Sequence, residues 1–207
     1  MTPIVRADRS FFATDATTLA RRLLGQRLVR IVDGARTSGI IVETEAYLGA
    51  PDLASHAARG RRTARNETMY GPPGLLYVYF TYGMHHCANV VCAREGVAEA
   101  VLLRAVEPEE GVETIRARRA ARPRKTALRD RELCAGPGRL CEALGIDLSL
   151  DGADLAESGV VRIERIHSRA LPASRIESGP RIGLGEVGEW KGKTLRFWVK
   201  GSGFVSR

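Results

Sequence analysis

Apolar and polar side chains alternate over several stretches of this chain, with the period of two that is typical of half-buried β-strands. The pattern predicts strands at residues 26–32, 39–48, 74–83, 85–92, 100–108, 160–167 and 194–202. Because many of these strands are adjacent in the sequence, we expect a largely antiparallel sheet.

Helical patterns interrupt these strands at three places. Asp15 is placed to cap a helix that Gly25 ends, and a second helix over residues 109–122 ends near Pro123. A third begins at Pro137 and stops at Gly145. The fold class predicted from these elements is α+β: a curved, largely antiparallel sheet with surrounding helices and a protruding β-hairpin.

Length and charge restrict the kind of protein. At 207 residues we expect a single domain over residues 1–207. The 32 Lys and Arg residues against 24 Asp and Glu give a net charge of +8, which favours a polyanionic partner, nucleic acid ahead of a membrane surface. No apolar run is long enough to span a membrane, and the first ten residues lack the centre of a signal peptide. We therefore expect a cytoplasmic protein in a bacterium, associated with the nucleoid, or a nuclear one in a eukaryote.

The cysteines and histidines lack the spacing of common metal motifs. The four cysteines form no CxxC pair, so buried reduced thiols are the preferred interpretation. A metal site assembled from Glu43, Glu45 and His56 is the alternative, and spacing in a single sequence gives it little support. We expect a protein without a metal or cofactor.

The strand at residues 39–48 has one apolar face and one chemical face. Alternation puts Glu43, Glu45 and Tyr47 on the same side of the strand. These glutamates either decorate a solvated face or line a site. The following turn sequence GAPD is able to bring His56 back opposite Tyr47. Two rings beside a carboxylate would then sandwich a planar heterocycle.

An aromatic side chain falls at the expected tip of the hairpin between residues 74 and 92. Tyr82 and Gly83 lie where the chain must turn back, and Met84 follows. Tyr82 is either pinned against the domain or, with Met84, forms a wedge that enters a base stack when a nucleotide is extruded.

Two basic runs flank these elements. The first, at residues 58–66, contains Arg59, Arg61, Arg62 and Arg65, and the second extends over residues 115–131. A charge run is usually a solvated face. Beside a pocket and a wedge, the arginines of the first run are also suited to contact DNA phosphates.

Seven consecutive blocks of the sequence resemble one family. They are ETEAYLG, SHAARGRRTARN, PPGLLYVYFTYGMHHCANVV, VLLRAVEPEEG, GPGRLCEALGI, SGPRIGLGEVGEW and LRFWVKGS. In this order they resemble the 3-methyladenine (alkyladenine) DNA glycosylases of the type found in mammals and many bacteria. The resemblance runs from about residue 10 to the C-terminus, and several well-spaced blocks are more specific than one short motif.

The resemblance implies an enzyme that flips a damaged purine out of duplex DNA and hydrolyses its N-glycosidic bond. Glu45, the second glutamate of ETEAY, matches the general base. Arg104 matches a residue near the catalytic water. Ile182 matches the position whose main-chain carbonyl helps to hold that water.

The resemblance also implies how the base and the duplex are held. Tyr47 and His56 match the stacking walls, and Tyr79 matches a further aromatic of the pocket. Asn89 matches an amide that disfavours normal guanine. Tyr82 matches the intercalating tyrosine.

Two further expectations concern the enzyme. No lysine of the matched blocks stands out as a Schiff-base nucleophile, so we expect a monofunctional enzyme, and a monomer fits one that scans a duplex. Two other classes stay open. One is a binder of damaged DNA without catalysis, and the other is a hydrolase of nucleosides or other glycosides that uses Glu43 and Glu45 as a carboxylate pair.

Overall fold

A ten-stranded sheet forms the centre of the computed structural model, which describes residues 5–121 and 127–206. Its strands are β1 Val5–Arg6, β2 Arg27–Val32, β3 Ala35–Tyr47, β4 Leu75–Thr81, β5 His85–Cys92, β6 Glu99–Glu110, β7 Ala153–Asp154, β8 Val161–Arg165, β9 Ile176–Gly179 and β10 Arg196–Val199. The helices are α1 Arg9–Phe12, α2 Ala16–Leu23, α3 Val112–Ala120, α4 Asp130–Leu133 and α5 Pro137–Leu144. The prediction of an α+β fold is confirmed.

All paired strands in this sheet run antiparallel, in the order β1-β8-β2-β3-β6-β5-β4-β7, with β10 between β3 and β9. The 13-residue strand β3 is longer than its six-residue neighbour β2. Beyond the end of β2, the strand β10 pairs with Glu43, Thr44 and Glu45, while β6 follows β3 on its other edge. The second half of β3 therefore lies in the interior of the sheet.

The apolar face of β3 packs against α2. Ile41 and Ala46 lie in the main hydrophobic core with Leu19 and Leu23 of the helix. The hydroxyl of Thr44, on this face, donates to the backbone carbonyl of Ala20 in α2 at 3.0 Å. The candidate site lies on the opposite face of β3.

The caps of α2 and α5 agree with the sequence analysis. The carboxylate of Asp15 accepts from the backbone N–H of Thr18 at 2.9 Å, which satisfies one of the unpaired donors of α2. Pro137 begins α5, and Gly145 ends it with a φ of 64°. These two helices were correctly predicted within a residue or two.

The second predicted helix begins later than expected. Glu109 and Glu110 continue strand β6, and the chain turns at Gly111, whose φ of 65° is disfavoured for other residues. Helix α3 then starts at Val112. Pro123 lies outside the described residues. The short elements α1, α4, β1, β7 and β9 were not predicted, because two to four residues carry too little periodicity.

Three arginines of the second basic run, within the described residues, contact the protein itself. Arg119 is 2% exposed, donates to the carbonyl of Leu133 at 2.9 Å and pairs with Glu142. Arg116 and Arg118 donate to carbonyls in the α3–α4 connection and in α5. The described part of this run therefore joins three helices.

Candidate active site

The chemical face of β3 carries the three residues that alternation predicts. Glu43 and Glu45 are both 0% exposed, so the interpretation of a solvated face is wrong. Tyr47 follows on the same face and lines a cavity of about 510 Å³. The remaining walls come from β4, β5, β6, the loops at residues 53–56 and 182–187, the short turn that contains Met69, and Pro137 at the start of α5. The sequence-predicted residues among them are His56, Tyr79, Tyr82, Asn89, Arg104 and Ile182.

Three groups hold the carboxylate of Glu45 just behind the wall of this cavity. Arg104 Nη1 lies 3.0 Å from Oε1, and the backbone N–H of Ile182 donates to the same oxygen at 2.8 Å. The hydroxyl of Tyr47 donates to Oε2 at 2.9 Å. Each of these three residues also lines the cavity. Glu45 is therefore one layer from the space in which a ligand would lie.

Burial dominates the proton affinity of Glu45. Removal from water raises the pKa of its carboxyl above the ordinary value, although Arg104 and the N–H of Ile182 act in the opposite direction. Burial also raises the pKa of Tyr47 well above its usual range, and the charge of Glu45 adds to this. Tyr47 thus stays protonated as the donor, and Glu45 is a stronger base than an exposed glutamate.

Arg104 remains a cation in this setting. Burial acts to lower the pKa of its guanidinium, but the charges of Glu45 and Glu43 more than compensate and raise it. Its Nε donates to Glu43 at 3.1 Å. One arginine therefore joins the two carboxylates of β3.

Three aromatic rings form one side of the cavity. The rings of His56 and Tyr79 meet edge to face with centroids 4.5 Å apart, and Tyr77 lies 5.5 Å from Tyr79. His56 Nδ1 and the Tyr77 hydroxyl are 2.8 Å apart. Burial, together with the nearby Arg65 and Arg61, lowers the pKa of His56, so its ring is neutral at physiological pH.

Asn89 lies on β5 at the base of the cavity. It is 4% exposed, and its side-chain N–H donates to the carbonyl of Tyr77 at 3.1 Å. This bond across the β4–β5 pair fixes the plane of the amide. The amide of Asn89 is therefore a rigid polar group in a mostly aromatic wall.

The hairpin tip carries two exposed apolar side chains. Tyr82 is 78% exposed and Met84 is 54% exposed, between the ends of β4 and β5. Tyr82 has a φ of 51° and is followed by Gly83 with a φ of 64°. A left-handed tyrosine costs on the order of 1–2 kcal/mol, so the turn holds it in an uncommon conformation. The protruding hairpin predicted from the sequence is confirmed.

The arginines of the first basic run divide into two groups. Arg59, Arg61 and Arg65 line a second cavity, of about 580 Å³, that shares His56 with the first. Arg62 does not line it. Its Nε is 3.0 Å from Glu67, and its guanidinium lies 4.7 Å from the ring centroid of Tyr70.

Comparison with known proteins identifies the family. The model of the methylpurine-DNA glycosylase family matches residues 10–203. A mouse DNA-3-methyladenine glycosylase is 48% identical over 205 residues, which cover 97% of this chain and 61% of the mouse protein. The human DNA-3-methyladenine glycosylase is 46% identical, with 98% of this chain and 68% of the human protein covered.

The chain belongs to the methylpurine-DNA glycosylase family.

A putative 3-methyladenine DNA glycosylase of Bacillus cereus matches this chain over nearly the full length of both proteins. It is 44% identical over 205 residues that cover 98% of this chain and 100% of the relative. This chain spans about two thirds of the length of the mammalian relatives. The family inferred from the sequence blocks is confirmed.

Sequence reasoning missed one buried ion pair of this glycosylase fold. Asp52 and Arg181 have fully buried side chains and form two bonds, of 2.6 and 2.8 Å. Asp52 also accepts from the backbone N–H groups of Leu48 and Ala54. The guanidinium of Arg181 lies 4.5 Å from the ring centroid of Tyr47. The two residues are 129 positions apart, and neither motif that contains them indicates that they meet.

Sequence reasoning also missed Cys87 in the cavity wall. It is 6% exposed, and burial raises the pKa of its thiol. Alternation along β5 puts residue 87 on the same face as Asn89, so this position was accessible to the same argument. Cys87, Cys92, Cys134 and Cys141 are all buried and unpaired by disulfides, as expected.

Within residues 5–121 and 127–206, no group of three or more His, Cys, Asp or Glu side chains is placed to hold a metal ion. Over the same residues, no helix has the length and apolar character needed to cross a membrane.

Proposed function

We propose that this chain is a monofunctional DNA glycosylase of base-excision repair. It flips alkylated or otherwise damaged purines, such as 3-methyladenine, out of duplex DNA and hydrolyses the N-glycosidic bond with a water that Glu45 activates. The product is an abasic site. The observation that carries this proposal is the buried carboxylate of Glu45, held by three residues that line an aromatic cavity.

The chemistry requires a base beside a developing positive charge. As the bond from C1′ to the base breaks, the sugar becomes cationic, and the carboxylate of Glu45 stabilises that charge. The attacking water bonds to C1′ and gives its proton to Glu45, while the bonding electron pair leaves with the base. A base that already carries positive charge departs as a neutral molecule. Alkylated purines of this kind are therefore the favoured substrates.

The attacking water would lie between Glu45 and the cavity. Arg104 and Ile182 each donate a hydrogen bond to Glu45, and both also line the cavity. We assign Arg104 as a hydrogen-bond donor beside this water, and the main-chain carbonyl of Ile182 as its acceptor. The N–H of the same Ile182 is bonded to Glu45, which fixes the local backbone.

Base selection would depend on stacking and on one amide. Arg181 occupies one face of the Tyr47 ring, so the flipped base stacks on the other face, opposite His56 and Tyr79. Electron-rich rings favour a cationic base over a neutral one. The rigid amide of Asn89 would disfavour the 2-amino group of guanine. Normal pairs also cost more to open, which adds a second filter.

Duplex DNA would lie across the hairpin and the first basic run. Tyr82 and Met84 would fill the space that the extruded nucleotide leaves. Arg59, Arg61 and Arg65 would contact phosphates, and binding should weaken with salt. Arg62 is the weaker candidate of the four, because Glu67 partly neutralises it. We propose a monomer that acts where the chromosomal DNA is, nucleoid or nucleus.

Hydrolysis without strand cleavage is favoured by the composition of the cavity. Among the described residues, no lysine lines the cavity that Tyr47 and His56 share. The wall of this cavity therefore offers no lysine amine that could form a Schiff base with the sugar.

The second rival, a glycoside hydrolase with two carboxylates, is disfavoured by Glu43. Its carboxylate accepts four hydrogen bonds, one each from Arg104 and Arg196 and two from Ser206. These protein groups occupy the carboxylate of Glu43, so it is poorly suited to act as a second catalytic acid or base. The first rival, a binder of damaged DNA without catalysis, retains the same cavity and differs only in turnover.

The test measures free base released from methylated duplex DNA by the wild-type protein and by Glu45→Gln. Binding to a duplex with an abasic-site analogue is followed in parallel. Release by wild type alone, with both proteins bound to the analogue, supports the glycosylase. Binding without release by either protein supports the rival binder, and strand nicking without added base or heat contradicts the water mechanism.

A further inference from the structure

Glu43 is the buried carboxylate of the site that the proposed reaction leaves without a role. It is 0% exposed, and its Oε1 lies 3.1 Å from Arg104 Nε and 2.7 Å from Arg196 Nε. Ser206 donates to it twice, from the hydroxyl at 2.9 Å and from the backbone N–H at 2.7 Å. A carboxylate with four donors is a fixed part of the structure.

The same residues determine how Arg104 points. Its Nε donates to Glu43 at 3.1 Å, its Nη1 to Glu45 at 3.0 Å and its Nη2 to the hydroxyl of Ser206 at 3.3 Å. A guanidinium is planar, with its donors in a rigid fork. Because Nε and Nη2 are held from behind, Nη1 is directed to Glu45.

Ser206 is itself held in place. It is 6% exposed, and its carbonyl accepts from Arg196 Nη2 at 3.4 Å. Arg196 lies on β10, directly opposite Glu45 of β3 in the strand register. The segment that carries Ser206 is thereby attached to the strand pair that carries the candidate base.

The group formed by Glu43, Glu45, Arg104 and Arg196 contains equal numbers of negative and positive side chains. Two carboxylates, Glu43 and Glu45, lie between two cations, Arg104 and Arg196. At Glu45, the negative charge of Glu43 opposes the effect of the positive charge of Arg104. The other polar and titratable groups that face Glu45 are Tyr47 on β3, Tyr79 on β4, Cys87 on β5 and the N–H of Ile182.

We propose that Glu43 and Ser206 are positioning residues for the proposed hydrolysis. They hold Arg104 with one N–H on Glu45, and the negative charge of Glu43 opposes the effect of Arg104 on the proton affinity of Glu45. This inference rests on the proposed function. Neither residue lines the cavity, so neither touches the flipped base.

The experiment compares single-turnover release of base from methylated duplex DNA across pH. The proteins are wild type, Glu43→Gln, Ser206→Ala, Ser206→Thr and, as a matched control, Glu164→Gln, which neutralises a buried glutamate away from the cavity. Binding to an abasic-analogue duplex and thermal unfolding are measured on each.

We expect Glu43→Gln to release base about 10- to 100-fold more slowly, because a displacement of about 1 Å has effects of this size. The acid limb of its pH–rate profile should move to lower pH, since the negative charge of Glu43, which raises the pKa of Glu45, is then absent. Ser206→Ala should be slowed less, Ser206→Thr should recover the rate, and Glu164→Gln should match wild type.

Two results would overturn the inference. One is a wild-type rate with an unmoved acid limb in both Glu43→Gln and Ser206→Ala. The other is an acid limb that moves to higher pH in Glu43→Gln, which would mean that Arg104 had left Glu45.

Carboxyl carbon-13 NMR of Glu45 gives the same readout without catalysis. Its titration midpoint should fall in Glu43→Gln, and an unchanged midpoint contradicts the inference. If wild type released no base while this midpoint moved as expected, the proposed function would fail and the positioning of Arg104 would stand. Should Glu43→Gln not fold, Ser206→Ala carries the same comparison of rates.

Discussion

Glu45 and Glu164 are two buried glutamates beside arginines. The pKa of Glu45 is raised above the ordinary value for glutamate, and the pKa of Glu164 is lowered below it. Glu164 on β8 is 7% exposed and accepts from Arg36 at 3.0 and 2.8 Å, with Arg162 and Arg27 also adjacent. Hydrogen bonds from Arg36 are the main cause that lowers its pKa to about 2. For Glu45, burial outweighs a single arginine and raises the pKa.

The difference shows what distinguishes a carboxylate with a structural role from one that is suited to accept a proton in a reaction. Glu164 has several cationic donors and some contact with water, so its charge is stabilised and it has little tendency to accept a proton. Glu45 has one cation, which it shares with Glu43, and its surface is 0% exposed to bulk solvent. Only Glu45 combines an elevated proton affinity with a place behind a cavity, and such perturbed groups cluster at functional sites.

The largest expected effect is on catalysis. Glu45→Gln should slow base release by about 100- to 10,000-fold, because general base catalysis contributes about that much. Glu164→Gln, the matched loss of a buried charge, should keep the wild-type rate. Single-turnover rates at one pH check this. Equal losses in both variants would remove the distinction between the two glutamates.

Asp52 extends the comparison to a carboxylate that is as buried as Glu45 but forms two hydrogen bonds with one arginine, Arg181. Asp52→Ala should lower the free energy of unfolding by about 3–5 kcal/mol, because it leaves the guanidinium of Arg181 buried and unpaired. Chemical denaturation measures this value. Arg62→Ala, which breaks an exposed pair with Glu67, serves as the control and should unfold like wild type. An Asp52→Ala protein as stable as wild type would contradict the buried pairing.

Tyr82 allows the opening of the duplex to be separated from the chemistry at Glu45. Tyr82→Ala should weaken excision from duplex DNA by about 10-fold, because stacking on an aromatic contributes about 1–3 kcal/mol per base. Excision from single-stranded methylated DNA should be unchanged, since no gap in a duplex has to be filled. Equal losses on both substrates would place Tyr82 in the catalytic step.

The smallest effect concerns stability against pH. Because the pKa of Glu45 is raised in the folded state, its contribution to stability is complete below the unfolded pKa and is lost as pH rises through the folded pKa. Glu45→Gln should therefore be more stable than wild type at pH 8, by about 1.4 kcal/mol per pKa unit of displacement.

The opposite sign is expected at Glu164. Its folded pKa is lowered to about 2, so its contribution is present above the unfolded pKa and is lost as pH falls toward about 2. Glu164→Gln should be less stable than wild type at pH 8, with the difference disappearing in acid. Thermal unfolding at several pH values checks both signs. A destabilised Glu45→Gln at pH 8 would contradict the raised pKa.

The alternation of β3 predicted the chemical face of the sheet from the sequence alone. Period two placed Glu43, Glu45 and Tyr47 together, and β4 and β5 brought Tyr79 and Asn89 to the same cavity. Local turn chemistry predicted the hairpin tip at Tyr82. These features depend on neighbours in the chain, which a single sequence contains.

Long-range pairing was not accessible in the same way. Asp52 meets Arg181 across 129 residues, and Glu43 meets Ser206 across 163. No local pattern encodes either contact. The same holds for the arginines at 116, 118 and 119, whose role as helix contacts appears only once α3, α4 and α5 pack together.

The pH dependence of base release from methylated duplex DNA tests the central claim most directly. The account predicts that the wild-type single-turnover rate rises with pH through one ionisation above the ordinary pKa of glutamate, and that Glu45→Gln loses both the rate and this ionisation. A Glu45→Gln protein that releases base with the wild-type pH profile would contradict it.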